Sequence, residues 1–294
     1  MDLVKIAGSA HYLPGRVNIG VLIGEGQAAF IDTGLDEGAA RKAVQALEQA
    51  HLRLAAVINT HAHADHCGGN AFVRKRTGAP IYAPPVEAAL IQHTEFEPFF
   101  LFGAAPFKAI DSKWFHAAPT PVAHILDAKI TLCGVELEVI PAAGHSMNQI
   151  AIATPEVAFL ADALMAPDIL ERYPIQYCYD VLAHRATLER LAGLRRDWYV
   201  GAHFPPTQDL TPLFDANRAN LDRTAAAVLE ALQPTASTEE VVRTVAESLG
   251  VPPMDPAAYL LNAAAVKAHL SAHVRENRVT FEIQDQRPVW RRLG

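Results

Sequence analysis

The chain has 294 residues, half of them hydrophobic, with a formal net charge of -7 and three cysteines. This length fits one large domain or one domain with a small addition, and three scattered cysteines predict no disulfide framework. The acidic charge gives no general attraction to nucleic acid or anionic lipid, and neither a membrane span nor a signal peptide is indicated, so we expect a cytoplasmic protein.

The first 92 residues predict strands that alternate with helices. Two apolar runs joined by Gly24-Glu25-Gly26 predict a β-hairpin. The pattern that follows predicts a helix over residues 37–49, with Asp36 as its N-cap. A buried strand, LAAVINT, then leads into a loop rich in histidine. After this loop we expect an amphipathic stretch near residues 71–77, a short strand (PIYA) and a helix that begins at Pro84-Pro85.

The middle of the chain predicts further strands. Residues 95–107 read EFEPFFLFGAAPF, which favours a core element or a subunit interface, with the substrate pocket as the alternative. The segment KITLCGVELEVI alternates about Cys133-Gly134 and predicts a hairpin. Strands QIAIAT and VAFLAD, a helix over residues 181–195 and a strand in WYVGAHF follow. We therefore expect a chain dominated by strands up to about residue 210.

Beyond residue 210 the pattern becomes helical. Helices are predicted over residues 214–232, 237–249 and 255–274, and two β-like runs, RVTFEIQ and RPVWRRL, follow them. Three helices followed by a two-stranded wing indicate a small winged-helix domain. We therefore predict two domains, residues 1–210 and 211–294.

The stretch INTHAHADHCGGN concentrates ligand-type side chains in a single loop. His61 and His63 are two apart at the end of a predicted strand, so an extended backbone directs both imidazoles to the same side. Asp65 and His66 follow where the chain turns, and they point in other directions. Imidazole and carboxylate are ligands that zinc takes, so this loop can serve two metal centres.

Residues 60–69, THAHADHCGG, resemble the signature of the metallo-β-lactamase superfamily. The family's further motifs have matches in the expected order, namely Asp32-Thr33-Gly34, Gly144-His145, Ala161-Asp162 and Gly201-Ala202-His203. The resemblance covers residues 1 to about 210. It implies an α/β fold, the four-layer αββα sandwich, with the predicted helical or winged-helix domain appended at the C-terminus.

The resemblance also implies a metal site with seven ligands. One metal ion would be bound by His61, His63 and His145, a second by Asp65, His66 and His203, and both by Asp162. The expected cofactors are two Zn²⁺ ions per chain, with iron or manganese as alternatives, and a hydroxide shared by the two ions would attack the substrate.

Within the motif, Asp65 and His66 are also the candidate catalytic residues. Asp32 is expected to steady the ligand loop by hydrogen bonds, or to form only a turn before the helix. Around the ligands the chain departs from the family pattern. We expect Phe204 to make the pocket floor apolar, and Met147 and Asn148 to contact substrate.

Three positions argue against particular branches of the superfamily. His63 stands where flavodiiron oxygen reductases have a carboxylate. Asp162 resembles the bridging carboxylate that true β-lactamases of this fold lack. Met165 occupies the position of a tyrosine that quorum-quenching lactonases tend to have. Redox iron chemistry, antibiotic hydrolysis and that class of lactonase are therefore disfavoured.

The C-terminal segment resembles the winged-helix extension of the branch that includes β-lactamase-like protein two. From Thr211 onward, nine Arg or Lys residues stand against ten Asp or Glu residues, which favours a lid or dimerisation element over a nucleic-acid reader.

The leading hypothesis is a dinuclear metal-dependent hydrolase of a small ester, thioester or lactone. The alternatives are a phosphodiesterase or endoribonuclease of the same superfamily and a metal-containing DNA-binding sensor. The expected partner is a small-molecule substrate rather than nucleic acid or a membrane, and a homodimer stays open.

Overall fold

Two β-sheets packed face to face form the centre of the protein, in a computed structural model that describes residues 1–126, 128–233 and 235–293. In both sheets the strands lie side by side in chain order. The first sheet consists of β1 (Val4–Ala7), β2 (Ala10–Leu13), β3 (Ile19–Gly24), β4 (Gln27–Ile31), β5 (Arg53–Ile58), β6 (Ile81–Ala83) and β7 (His124–Ile125). The second consists of β8 (Lys129–Leu132), β9 (Val135–Pro141), β10 (Ile150–Ala153), β11 (Val157–Ala161) and β12 (Trp198–Gly201).

Helices cover the outer faces of both sheets. They are α1 (Glu37–Gln49), α2 (Ala64–Cys67), α3 (Asn70–Thr77), α4 (Pro85–Gln92), α5 (Phe96–Phe102), α6 (Pro167–Arg172) and α7 (Val181–Ala192). Asp36 caps α1, as predicted, because its side chain accepts a hydrogen bond from the Ala39 N–H at 3.1 Å.

Three apolar clusters connect these layers. Residues from both sheets, among them Ile58 and Ile152, form the cluster between the sheets. Leu47 and Val73 of α1 and α3 pack on the outer face of the first sheet, and Leu188 of α7 packs on that of the second. The order helix, sheet, sheet, helix confirms the predicted αββα sandwich.

The two predicted hairpins are present, and their turns have the backbone that a two-residue hairpin requires. Glu25 and Gly26 have φ angles of 51° and 71°, and Cys133 and Gly134 have 54° and 71°. Strands β1 and β2 were not predicted, because each has only four residues and β2, AHYL, has no β-branched residue.

After the sandwich come three helices and a small antiparallel sheet. They are α8 (Thr211–Glu230), β13 (Thr235–Ala236), α9 (Thr238–Ser248), α10 (Pro256–Arg275), β14 (Val279–Gln284) and β15 (Arg287–Arg292), with β15 between β13 and β14. The N-terminal half of α8 contributes Phe214 and Leu221 to the core of the sandwich, and its C-terminal half contributes Val228 to the core of the last segment. The winged-helix assignment and the domain boundary at residue 210 stay predictions.

The aromatic run forms α5 on the surface. Phe99 and Phe100 are 44% and 51% exposed, so the interpretation of this run as buried core was wrong, while a subunit interface stays a prediction. Within the part of the chain that the structure describes, no helix is both long enough and apolar enough to cross a membrane.

Candidate metal centre

The seven predicted ligands meet at one edge of the sandwich. Strands β4 and β5 run parallel in the first sheet, and β11 and β12 run parallel in the second. The ligands lie beyond the carboxyl ends of β5, β11 and β12, and in the loop between β9 and β10. Their donor atoms form three overlapping groups, which are His61, His63 and His145; His61, His66 and Asp162; and Asp65, His66 and His203.

In the first group, three imidazole nitrogens point at one another. His63 Nδ1 lies 3.0 Å from His61 Nε2 and 2.9 Å from His145 Nε2. A proton on His63 Nδ1 can be donated to only one of these two nitrogens, so one hydrogen bond does not explain both close contacts. Nitrogens of a tetrahedral zinc site lie about 3.3 Å apart when each is about 2.0 Å from the ion. The close approach of three nitrogens therefore fits a metal ion in their midst.

Asp162, which belongs to the second group, lies between histidines of all three groups. Its Oδ1 is 3.3 Å from His66 Nε2, and its Oδ2 is 3.4 Å from His145 Nε2 and 3.5 Å from His203 Nε2. The Asp65 oxygens lie 3.8 Å from the Nε2 atoms of His66 and His203.

Two of these atoms are fully buried but have no hydrogen-bond partner among the described residues, namely His66 Nε2 and Asp162 Oδ1. Their 3.3 Å separation lacks hydrogen-bond geometry. A buried polar atom without a partner is costly, and a shared cation satisfies both. The nitrogen and oxygen donors thus fit a pair of metal ions.

Hydrogen bonds at the far side of each ring orient three of the histidines. His66 Nδ1 lies 2.8 Å from Asp32 Oδ2, His145 Nδ1 lies 3.3 Å from the Tyr177 carbonyl oxygen, and His203 Nδ1 lies 3.2 Å from the Arg16 carbonyl oxygen. Each Nδ1–H is thereby donated to an oxygen, and Nε2 is left free to bind a metal ion.

The electrostatics of the site favour the ligand forms of several groups. Burial lowers the pKa of His61 and of His145 well below the ordinary value, so both rings are neutral. Burial opposes ionisation of Asp162, but the neighbouring His66 and His203 outweigh it and hold the pKa of Asp162 well below its usual range. Burial also opposes protonation of His66 and His203, but Asp162 outweighs it and raises the pKa of both rings, so a metal ion bound there would displace their protons. Neutral imidazole and ionised carboxylate are the forms that bind metals.

Asp32 holds the ligand loop, which confirms the expected hydrogen bonds. Its carboxylate accepts from the Thr60 N–H at 2.8 Å and the Thr60 hydroxyl at 2.7 Å, in addition to His66. Asp32 itself has φ +65°, a strained backbone for a residue other than glycine. The loop also approaches this turn so closely that a Cβ on Gly68 would collide with the Leu35 carbonyl oxygen.

The sequence did not point to Glu87 of α4, which is completely buried. Its Oε2 accepts from the Ala62 N–H at 2.9 Å. Its Oε1 accepts from the Ser146 hydroxyl at 2.6 Å and the Asn148 N–H at 2.7 Å. One carboxylate thus joins the loop of His61 and His63 to the loop of His145. A single acidic residue in the first turn of a helix ordinarily indicates only a favourable dipole contact, so nothing in the sequence singled it out.

We expect Glu87→Ala to lower both thermal stability and metal content. The change leaves two backbone N–H donors and a hydroxyl unsatisfied in the interior, at about 1–3 kcal/mol for each group that no water reaches. Thermal unfolding and elemental analysis measure the two effects. Glu95→Ala, at an exposed position nearby, is the control. Unchanged metal content in Glu87→Ala would show that this carboxylate does not hold the two loops together.

A cavity of about 400 Å³ opens beside His63. Most of its walls are apolar, and they come from the ligand loops, from α4 and α5, from residues 177–179 and from α10; they include Leu90, Phe100, Leu101, Met147 and Tyr177. Met147 therefore lines a cavity beside a predicted ligand, while its contact with substrate stays a prediction. Asn148 and Phe204 do not line the cavity. Phe204 is buried in the core beneath the second sheet, so the prediction that it forms an apolar pocket floor was wrong.

A comparison with protein-family models matches residues 12–203 to the metallo-beta-lactamase superfamily. Among curated proteins, the chain is similar to hydroxyacylglutathione hydrolases of Albidiferax ferrireducens, with 40% identity over 63 residues, and of Halorhodospira halophila, with 37% identity over 89 residues. These matches cover 20% and 29% of this chain. They span only 25% and 34% of the relatives' own lengths.

Solved structures share the fold over nearly the whole chain. A beta-lactamase domain protein from Burkholderia ambifaria has a TM-score of 0.76 and 17% identity, with 99% of this chain and 94% of that chain covered. A metallo-beta-lactamase family protein from Thermus thermophilus has a TM-score of 0.73 and 20% identity, with 98% and 100% covered. Both alignments include the C-terminal helices and strands as well as the sandwich.

Proposed function

The chain belongs to the metallo-beta-lactamase superfamily, and we propose that it is a metal-dependent hydrolase that acts on a small ester, thioester or lactone at a dinuclear centre. The observation that carries the proposal is the closed set of donor atoms around Asp162, beside a mostly apolar cavity of about 400 Å³. Of the three substrate types we favour thioesters, because the similar curated proteins are named as hydrolases of hydroxyacylglutathione.

The seven ligands divide into two sets. His61, His63 and His145 would hold one metal ion, and Asp65, His66 and His203 the other. Asp162 would serve both sets, since its two oxygens face histidines of each. Zinc is the first choice for such donors, with iron or manganese as alternatives. Bound there, the pair would supply activated water near neutral pH and polarise the attacked carbonyl.

The chain's own residues orient the substrate and exclude water. The opening beside His63 is bordered by Ala62, Met147 and Tyr177, and the Tyr177 ring packs edge-on against His63 at 5.5 Å. These side chains border the side of the cavity that meets the ligand loop. The Asp65 side chain is 31% exposed, which is more than the side chains of His66, His145, Asp162 and His203. We propose that the Asp65 carboxylate accepts a proton during turnover, while the hydrogen bond to Asp32 keeps the His66 ring oriented.

Neither Cys67 nor Ser146, which lie beside the ligands, is suited to act as a covalent nucleophile. Cys67 is buried, its thiol donates to the Ala62 carbonyl oxygen at 3.1 Å, and burial raises its pKa well above the usual range. The Ser146 hydroxyl donates to Glu87, whose carboxylate also accepts from the Ala62 and Asn148 N–H groups and so joins the two ligand loops.

We therefore expect Cys67→Ser and Ser146→Ala to keep turnover within about threefold of wild type. Ser146→Ala should nevertheless lower the free energy of unfolding by about 1–3 kcal/mol, because a buried hydrogen bond to a carboxylate is lost. Steady-state kinetics and urea unfolding separate the two effects. Loss of turnover with full metal content in either variant would indicate a covalent intermediate.

The decisive test of the function combines elemental analysis with a substrate panel. Protein expressed with supplemented zinc or manganese should contain about two metal ions per chain and should hydrolyse thioesters faster than phosphodiesters. A protein without transition metal would refute the dinuclear site. Faster cleavage of phosphodiesters would favour the phosphodiesterase or endoribonuclease alternative, and submicromolar binding of duplex DNA at physiological salt would favour the DNA-binding sensor.

A further inference from the structure

One face of α10 closes the cavity opposite the metal ligands. Ala264, Lys267, Ala268 and Ser271 line it, with the spacing of three, four and seven residues that marks one side of a helix. The other side of α10, which includes Val266 and Leu270, is buried in the C-terminal core. The cavity wall formed by α10 is thus held in place by the packing of that helix on its own core.

Lys267 is the only lysine or arginine among the residues that line the cavity. Within residues 1–126, 128–233 and 235–293, no carboxylate forms an ion pair with it. Glu97 is the one acid in the lining, and burial together with Asp65 and Glu87 raises its pKa well above the usual range. A substrate in this cavity therefore meets one lysine, which is exposed to solvent and has no carboxylate partner among the described residues.

The position of this charge relative to the metal ligands is maintained by contacts at the end of the same helix. Arg275 Nη1 donates to Asp180 Oδ2 at 2.7 Å. The backbone N–H groups of Asp180 and Tyr179 donate to the Gly144 carbonyl oxygen at 3.0 and 2.8 Å. Gly144 directly precedes His145. The segment that carries Lys267 is therefore connected to a ligand loop through three hydrogen bonds.

From this arrangement, and resting on the proposed function, we propose that Lys267 selects substrates that carry a carboxylate at the far end of an apolar acyl chain. The scissile carbonyl lies beside His63, the methylene chain packs against Leu101 and Met147, and the carboxylate pairs with the Lys267 ammonium. The Ser271 hydroxyl, one turn farther along α10, donates a second hydrogen bond. The C-terminal helices thereby determine specificity.

The test uses two thioesters that differ only in charge. The adipoyl thioester of N-acetylcysteamine carries an ω-carboxylate, and its ω-carboxamide has the same length without the charge. We expect wild-type protein to prefer the carboxylate about two- to fivefold in kcat/KM, through a lower KM, as for an ion pair with an exposed lysine. Lys267→Met should abolish this preference, while Lys267→Arg should retain it.

Lys42→Met, at an exposed lysine of α1, is the matched control and should behave as wild type. An equal preference in wild type and Lys267→Met, or no preference in wild type, would overturn the proposal. Binding of the ketone analogue 6-oxoheptanoate against 6-oxoheptanamide, measured by calorimetry, keeps the test independent of turnover. Tighter binding of the carboxylate that depends on Lys267 supports the inference even if neither thioester is hydrolysed. Absence of thioester hydrolysis would then refute the proposed function but not the role of Lys267.

Discussion

Replacing Asp162 by alanine is expected to lower metal content from about two ions per chain to less than one and to reduce turnover by at least about 10³-fold. The carboxylate lies within 3.5 Å of ligand nitrogens of three histidines, so its loss affects both proposed centres. An effect of this size exceeds the 10- to 100-fold cost typical of residues that only support ligands. Elemental analysis and steady-state kinetics measure both quantities.

Asp168→Ala, at an exposed position in the first turn of α6, should retain both metal and activity. Asp162→Asn keeps the shape of the side chain but removes its charge, and it should give an intermediate metal content. If Asp162→Ala kept two metal ions and more than about a tenth of the activity, the proposed bridging role would be wrong.

Acid is expected to destabilise the fold through His184 of α7. This ring is fully buried, neither of its nitrogens has a hydrogen-bond partner among the described residues, and burial lowers its pKa to about 4. The unfolded chain binds a proton at a pKa of about 6.5. Between these values the unfolded state holds more protons than the folded state, so the free energy of unfolding falls as the pH falls, by about 3 kcal/mol in total.

Urea unfolding at a series of pH values from 7 to about 4, in the presence of a chelator, measures this dependence. The free energy of unfolding of His184→Leu should fall less steeply with decreasing pH than that of wild type, by about 1.4 kcal/mol for each pH unit. The exposed His93 supplies the control, His93→Leu, which should keep the wild-type slope. Parallel curves for wild type and His184→Leu would show that this histidine does not cause the acid sensitivity.

The sandwich and the ligand loop could be predicted because their signals are local. A hairpin requires a turn such as Cys133-Gly134 between alternating residues, and an HxHxDH spacing concentrates donors within six positions. The order of the later motifs then placed His145, Asp162 and His203 at predicted strand ends, and the structure brings their donor atoms together with those of the loop.

The supporting contacts could not be predicted, because they join residues far apart in the chain. Glu87 contacts Ser146 across 59 positions, and Arg275 contacts Asp180 across 95 positions. The local sequence around each of these residues looks like that of an ordinary surface segment, so it gives no sign of the distant partner. The run of phenylalanines was misjudged for a related reason. Composition alone does not reveal that α5 lies at the rim of a cavity and leaves its phenylalanine rings partly exposed.

The long helix α8 has a consequence for how the protein unfolds. Its first turns are part of the core beneath the second sheet, and its last turns are part of the core of the C-terminal segment. A rigid helix of 20 residues cannot lose its packing at one end without straining the other, so the two cores share a single cooperative unit. Removing the chain after residue 210 would expose the apolar surface that Leu213, Phe214 and Leu221 now cover. We therefore expect the metal ligands and the C-terminal segment that contains α10 to unfold together.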